Sequence, residues 1–391
     1  AYEIGVRLVG SEMWIRDRKI AIVIPGMEAP GGVERVVSIQ ANYWVENNHE
    51  VTILIPSNHK TASFYTLDKR ITYYTIERPR QIRPRIPKLT SFIYYKKLLQ
   101  NYKFAINNIH PDVIISTLQG EDDKILKGAS VHIPIIGVNH ISIFLRSKGS
   151  TLKSFEQTVK RWTKFDAIIA LNRTDMLLLK QKGCNSFFIP NPCSFDKKNT
   201  TITKSEHPKY IVCVGRLDYI KGQDRLLKVW KQLAPKYPNW TMVLVGDGNM
   251  RDQYEKLEIE YNIQHRIKHI YNSNDVQTIL QHASIFAFTS RTECCPMALI
   301  EAFSCALPVV CYDCESGPRD FVENFYNGFL IPNNNTELFI SKLETLITNT
   351  DLRKTMSINA LSTAQRVTKQ IIMAQWDDLL ASIVKNTKST N

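Results

Sequence analysis

The sequence predicts an α/β protein with two parallel-sheet domains, on three observations. Short apolar segments alternate along the chain with longer amphipathic ones, which is the pattern of βαβ units. Several apolar segments break at glycine into a loop, as strands do before the next helix. With 391 residues, 43% of them hydrophobic, the chain can form two cores of ordinary size.

The first half supplies one parallel sheet with its covering helices. Strands are predicted where short apolar runs end at turn residues, and helices where the apolar residues recur at helical spacing. In chain order the predicted elements are strand Lys19–Pro25, helix Val33–Asn47, strand Glu50–Pro56, strand Ile71–Ile76, helix Ser91–Ile109, strand Val113–Thr117, strand Pro134–Asn139, helix Lys153–Lys164, strand Asp166–Leu171, helix Asn172–Lys182 and strand Ser186–Ile189.

The remaining boundaries follow from this pattern. Asn191-Pro192 is the predicted junction, so that residues 19–190 form the first domain and residues 191–355 the second. A terminal helix is predicted over Met356–Lys385, followed by a polar tail to residue 391. Residues Ala1–Arg18 precede the first strand and look like translated cloning sequence or a disordered leader. A native helical extension is the alternative.

The most informative segment is Thr292–Ala302, which carries two glutamates eight positions apart across a strand-to-helix junction. Pro296 suits the first position of a helix, because its missing N–H would be unpaired there. Glu293 therefore lies on the loop after the strand, and Glu301 lies about a turn into the helix. Carboxylates there can accept hydrogen bonds from a polyol, and the helix N–H groups between them can bind an anion.

Three glycine loops accompany the glutamates. The strand Val212–Gly215 ends in a loop that carries Arg216 and Lys221, two cations for a diphosphate leaving group. A third strand ends at Val243–Gly246, and the Gly31-Gly32 turn enters the first helix. A single glycine loop is ordinary turn chemistry. Their combination with the two glutamates points to a sugar nucleotide as ligand.

These segments, with Ala306–Val310 and Gly317–Arg319, resemble the retaining glycosyltransferases of the GT-B fold in family four. The resemblance extends from Lys19 to the C-terminal helix. It is greatest with the bacterial branch that builds capsular, exopolysaccharide or O-antigen chains. It implies two Rossmann-like domains facing each other across a cleft, with the C-terminal helix crossing back to the first domain.

The resemblance also implies roles for single residues. Arg216 and Lys221 would hold the donor diphosphate, Glu301 the ribose hydroxyls and Glu293 the donor sugar. The Gly31-Gly32 turn would lie near the phosphates and acceptor, and His140 near the transferred sugar. The remaining donor-binding positions are Gly215, Gly246, Cys294, Cys295, Pro296 and Met297.

Two segments depart from the family pattern. Cys294 and Cys295 stand where a glycine and an apolar residue usually follow the first glutamate, which could change the choice of sugar. The segment His269–Asn272 replaces the aromatic-x-glycine that commonly flanks the nucleobase. Uracil remains compatible, because the backbone makes most of the base contacts in this family.

The expected activity is transfer of a UDP-linked hexose or N-acetylhexosamine to a lipid-linked polysaccharide intermediate. No Asp-x-Asp occurs in the chain, so we expect no essential metal, and no cofactor beyond the nucleotide-sugar substrate. The alternatives are transfer to a soluble acceptor and a non-catalytic binding protein with the same fold.

The amino-acid composition indicates where in the cell the protein is located and which partners it binds. No apolar run reaches transmembrane length, and all eight cysteines follow residue 180, which favours a reducing cytoplasm. The net charge is +13, and Arg78–Lys103 holds eight basic and no acidic residues. This basic, aromatic stretch suits an anionic membrane surface, with a merely solvated face as the alternative. No nucleic-acid motif accompanies it, so nucleic acid is not an expected partner.

Overall fold

The computed structural model describes residues 17–57, 62–79, 87–130, 132–143, 152–195, 209–273 and 275–388. Its first domain holds a seven-stranded parallel sheet in the order β3-β2-β1-β4-β5-β6-β7. Strands such as β4 are buried along their whole length, as expected when helices cover both faces of a sheet. The strands are β1 Lys19–Val23, β2 Glu50–Ile55, β3 Thr72–Thr75, β4 Val113–Ser116, β5 Ile135–Asn139, β6 Ala167–Ala170 and β7 Ser186–Phe188.

The predicted strands of this domain are confirmed, with end points that differ by at most two residues. The helices are α1 Gly32–Glu46, α2 Pro87–Ile109, α3 Asp122–Ala129, α4 Leu152–Trp162 and α5 Arg173–Gln181. Helix α2 starts earlier than predicted, because a proline is tolerated in the first turn of a helix. Helix α3 was not predicted; it has eight residues and begins with two aspartates.

The second domain holds a six-stranded parallel sheet in the order β10-β9-β8-β11-β12-β13. Its strands are β8 Tyr210–Val214, β9 Thr241–Val245, β10 Ile267–Ile270, β11 Ile285–Phe288, β12 Val309–Asp313 and β13 Gly328–Pro332. The α-helices between and after them are α6 Gln223–Leu233, α7 Arg251–Glu260, α8 Val276–Gln281, α9 Met297–Ser304 and α10 Thr336–Thr348. The fold is thus two parallel α/β sheets joined in one chain, as predicted.

Each sheet has a switch point where the strand order reverses direction. In the second sheet β8 lies between β9 and β11, and in the first sheet β1 lies between β2 and β4. The connections leave in opposite directions there, which opens a crevice at the carboxyl ends of the strands. Both predicted glycine loops of interest, after β1 and after β8, are at these positions.

The C-terminal segment differs from the single predicted helix. It forms two helices, α11 Thr350–Gln365 and α12 Lys369–Lys388. At the turn between them the Val367 carbonyl accepts a hydrogen bond from the Cys193 N–H, 2.9 Å away in the interdomain connection. Helix α12 then crosses to the first domain, as expected, where Trp376 packs on Trp44 with ring centroids 5.9 Å apart.

The start of the first domain also differs slightly from expectation. Arg18, which we placed in the leader, accepts a hydrogen bond from the Glu50 N–H at 2.9 Å and so extends the β1–β2 pairing. The rest of the predicted leader, residues 1–16, lies outside the described residues. Within the described ranges, none of the helices combines the length and apolarity needed to cross a bilayer.

Candidate functional site

The switch point of the second sheet is tightly packed because two glycines allow its loops to touch. Gly246, after β9, has φ 132°, and a Cβ there would lie 2.2 Å from the Gly215 carbonyl. Gly222 has φ 68°, and its Cβ would lie 2.3 Å from the Thr289 carbonyl. A side chain at either position would push the loops apart. Glycine therefore holds the loops after β8, β9 and β11 together.

Lys221 and Glu293 meet at this point. The Lys221 Nζ lies 2.7 Å from Glu293 Oε1, which also accepts from the Ser290 hydroxyl at 2.7 Å. Burial alone would lower the pKa of Lys221, but the Glu293 carboxylate more than offsets it, and the pKa is raised. Lys221 is therefore a fixed cation, with 26% of its side chain exposed toward the crevice.

Arg216 differs from Lys221 in its exposure. Its side chain is 76% exposed and pairs with Asp218 at 3.0 Å. Asp218 also accepts from the Lys221 amide at 2.9 Å, so one carboxylate orders both ends of the loop. An exposed ion pair of this kind contributes little to stability. Arg216 can consequently turn toward an incoming anion at low cost.

Glu301 lies in α9 and is almost fully buried, with 5% of its side chain exposed. Its Oε1 accepts from the Ser194 hydroxyl at 2.5 Å and from the Arg35 guanidinium at 2.7 Å. Burial raises the pKa of Glu301, and the opposing effects of Arg35 and Ser194 do not remove that shift. Arg35 belongs to the first domain and was missed at the sequence level.

The turn after Glu293 faces the first domain. The Cys294 thiol lies 3.4 Å from the Asn139 carbonyl, and the Cys294 carbonyl accepts from the Asn172 amide at 3.1 Å. Burial raises the pKa of the Cys295 thiol to about 12 and that of Cys294 well above its usual value. Both side chains therefore remain neutral thiols, and Cys294 serves an interdomain contact in this structure.

The helix after this turn begins one residue later than predicted. Pro296 is the residue that caps α9, and Met297 is its first residue. The Pro296 carbonyl accepts from the Leu299 and Ile300 amides. The Glu293 carbonyl accepts in turn from the Ser316 hydroxyl at 2.7 Å, which fixes the turn on its other side.

The first domain contributes two predicted positions to the opposite wall of the crevice. Gly31 caps α1 and Gly32 is its first residue. The Glu34 carboxylate lies over Gly31, so that a Cβ there would be 2.1 Å from its Oε2. His140 directly follows β5, beside the residue that contacts Cys294, and is partly buried. Both segments thus lie at carboxyl ends of first-domain strands.

The region expected to flank the nucleobase is aromatic. The rings of His269 and Tyr271 stack with centroids 5.3 Å apart and planes at 15°. The Tyr271 hydroxyl donates to Glu255 at 2.8 Å, and the Arg251 guanidinium lies 3.7 Å from the centre of the Tyr271 ring. These contacts keep the end of β10 ordered next to the Gly246 loop.

Comparison with known proteins places the chain in a family. Residues 30–196 match the family described as Glycosyltransferase Family 4, and residues 194–363 match Glycosyl transferases group 1. The chain is 25% identical to an amylovoran biosynthesis glycosyltransferase of Erwinia amylovora, over 93% of this chain and 99% of the relative. It is 23% identical, over 93% and 99%, to a Campylobacter jejuni enzyme named as an α-1,4-N-acetyl-D-galactosaminyltransferase acting on a diNAcBac-PP-undecaprenol glycan.

Solved structures agree with the fold. The crystal structure of Anabaena HepE in complex with UDP and glucose superposes with a TM-score of 0.73 at 20% identity, covering 93% of this chain and all of HepE. The two family matches together extend from residue 30 to residue 363. The chain is therefore a glycosyltransferase with the GT-B fold, belonging to the group 1 and family 4 glycosyltransferases.

Proposed function

We propose that the protein transfers a hexose or N-acetylhexosamine from a UDP-sugar, with retention of configuration, to a lipid-linked glycan in cell-surface polysaccharide synthesis. The observation that carries the proposal is the pairing of Lys221 with Glu293 at the switch point of the second sheet, in the loop before the helix that carries the buried Glu301. In this proposal one crevice holds the cations that bind the diphosphate and two carboxylates, one for the donor sugar and one for the ribose.

The proposed chemistry assigns each group a task. The bond between the sugar C1 and the diphosphate oxygen breaks as the acceptor oxygen attacks the same face, and the acceptor proton passes to the departing phosphate. Arg216 and Lys221 stabilise the negative charge that develops on that phosphate. Glu293 accepts hydrogen bonds from the donor sugar, and Glu301 from the ribose hydroxyls. The turn at Gly31 faces the phosphates from the other domain.

The relatives support the class of substrates. HepE binds UDP and glucose, and the Campylobacter relative is named for a polyprenyl-diphosphate glycan acceptor. The Erwinia relative is named for the synthesis of a polysaccharide. Transfer to a soluble acceptor is the alternative; a sucrose-phosphate synthase has the same fold, with a TM-score of 0.77 at 16% identity.

A panel of nucleotide sugars and acceptors, assayed with EDTA, tests the proposal. We expect transfer from one UDP-sugar to a polyprenyl-diphosphate glycan, at a rate that EDTA leaves unchanged, because fixed cations take the place of a metal. Product anomers are identified by NMR. Inversion of configuration, dependence on a divalent cation, or transfer to free sugars alone would contradict the corresponding part of the proposal.

Helix α2 is the proposed membrane contact. Within its described side chains, Phe92, Ile93 and Phe104 are exposed, and Lys96 and Lys97 are exposed among them. Apolar rings between lysines can bury in the interface while the lysines attract anionic lipid. The earlier part of the basic stretch, residues 80–86, lies outside the described residues.

Liposome flotation tests this contact. We expect the protein to float with vesicles that contain anionic phospholipid, and the Phe92→Ser, Phe104→Ser double variant to remain in solution. The Phe325→Ser variant is the control, because that ring is 68% exposed but belongs to the second domain. If the wild-type protein does not float, the basic stretch is better explained as a solvated face. Transfer to a soluble acceptor then becomes the better account of the function.

A further inference from the structure

Arg35 reaches from the first domain to the carboxylate that we assign to the ribose. It lies in the first turn of α1, just after the Gly31-Gly32 turn, and its Nη1 is 2.7 Å from Glu301 Oε1. The two residues are 266 positions apart in the chain. Arg35 is 34% exposed, and Glu301 only 5%. A guanidinium at the rim of the crevice thus covers a carboxylate buried in the opposite domain.

A buried carboxylate needs such a partner. Burial favours the neutral acid, and removing one member of a buried ion pair leaves an uncompensated charge. Burial raises the pKa of Glu301, whereas Arg35, the Ser194 hydroxyl and the more distant Lys221 act against it. Of these three groups, Arg35 is the one in direct charge contact with the carboxylate. Arg35 is therefore the direct charge partner that favours the ionised form of Glu301.

The contacts also orient the carboxylate. Among the described residues, its hydrogen-bond donors, Arg35 and Ser194, both approach Oε1. This leaves Oε2 to accept from an incoming hydroxyl group. Arg35 is itself supported by Tyr65, whose hydroxyl lies 3.4 Å from the arginine Nε and whose ring centre is 5.5 Å from the guanidinium carbon.

We propose that Arg35 is a positioning residue for the donor: it reaches across the domain interface, pairs with the buried Glu301 at Oε1, and so keeps Oε2 turned toward the ribose hydroxyls. This role rests on the proposed function, because it presumes that Glu301 binds the nucleotide. Under this proposal the first domain takes part in donor binding through the Arg35 side chain, which acts on Glu301.

The pH dependence of UDP binding tests the inference, by isothermal titration from about pH 5 to about pH 8. Loss of Arg35 raises the pKa of Glu301 further, so at a given pH less of the carboxylate is ionised. We expect Arg35→Ala to bind UDP more weakly, and its affinity to recover as the pH rises. For each pH unit by which the pKa of Glu301 lies above the assay pH, the affinity for UDP falls about tenfold.

Further variants separate this role from a purely structural one. Arg35→Lys keeps a cation and should restore most of the wild-type profile. Glu301→Gln should bind weakly, with only the pH dependence that the titration of the UDP phosphate brings, and adding Arg35→Ala to it should cost nothing more. Arg70→Ala is the control, because Arg70 forms an exposed pair with Asp68 at 2.9 Å and should bind as the wild type does.

The outcomes distinguish the inference from the function on which it rests. If the wild-type protein binds UDP and Arg35→Ala binds with the same affinity and pH profile, the inference is wrong and the proposed function stands. If the wild-type protein binds no UDP, both are wrong. Circular dichroism checks that each variant is folded, and the double variant, which carries no unpaired buried charge, provides the comparison if Arg35→Ala is unstable.

Discussion

The Arg216→Ala, Lys221→Ala double variant is expected to lose at least about two decades of transfer rate. Charge-stabilising contacts to a developing anion contribute roughly 2.7–4 kcal/mol each. Lys221 is held in place by Glu293 at 2.7 Å, and Arg216 is exposed enough to reach the departing phosphate. The effect should appear in kcat as well as in kcat/KM, because the charge is greatest in the transition state.

The control for this prediction is Lys228→Ala, which removes an exposed lysine from α6 in the same domain. It should leave the transfer rate unchanged, because its charge is exposed and screened by solvent. Equal turnover in the double variant and the wild-type protein would refute the assignment of Arg216 and Lys221 to the leaving group. Thermal unfolding followed by circular dichroism establishes that the variants compared are folded.

Trp376→Ala is expected to lower the free energy of unfolding by about 3–5 kcal/mol, the usual range for replacing a buried tryptophan. Trp376 is 1% exposed on α12, and its ring meets that of Trp44, which is fully buried in α1. Removing it leaves a cavity where the C-terminal helix crosses to the first domain. Urea denaturation measures the change.

The matched control for the tryptophan is Ile371→Ala in the same helix. Ile371 is 44% exposed, so its replacement should change the free energy of unfolding by no more than about 0.5 kcal/mol. Equal stability of Trp376→Ala and the wild-type protein would mean that the crossing of α12 does not fasten the two domains together.

The local sequence pattern was sufficient to predict the strands and loops that border the crevice. The strand β11 precedes the Glu293 loop, as predicted, because four buried apolar residues in a row are typical of a strand covered on both faces. The loops after Gly215 and Gly246 were predicted from apolar runs that end at glycine, and the close approach of Gly246 to the Gly215 carbonyl accounts for that glycine. Short-range signals were thus enough to predict where these strands and loops lie.

What the sequence did not reveal depends on contacts between distant segments. In the sequence, Arg35 is an ordinary charge on an amphipathic helix; its partner lies in another domain. The direction of the Cys294 thiol follows from the docking of the turn on Asn172, which no local pattern records. At the break before α12, the Val367 carbonyl likewise pairs with the amide of a distant residue, Cys193 in the interdomain connection.

Binding of UDP to the 391-residue chain is the most direct test of the account. In isothermal titration with EDTA present, we expect one UDP to bind per chain. Glu301→Gln should weaken that binding, because Oε2 of this carboxylate is the proposed acceptor for the ribose hydroxyls. Absence of UDP binding to the folded protein, or binding that EDTA abolishes, would contradict the proposed donor site.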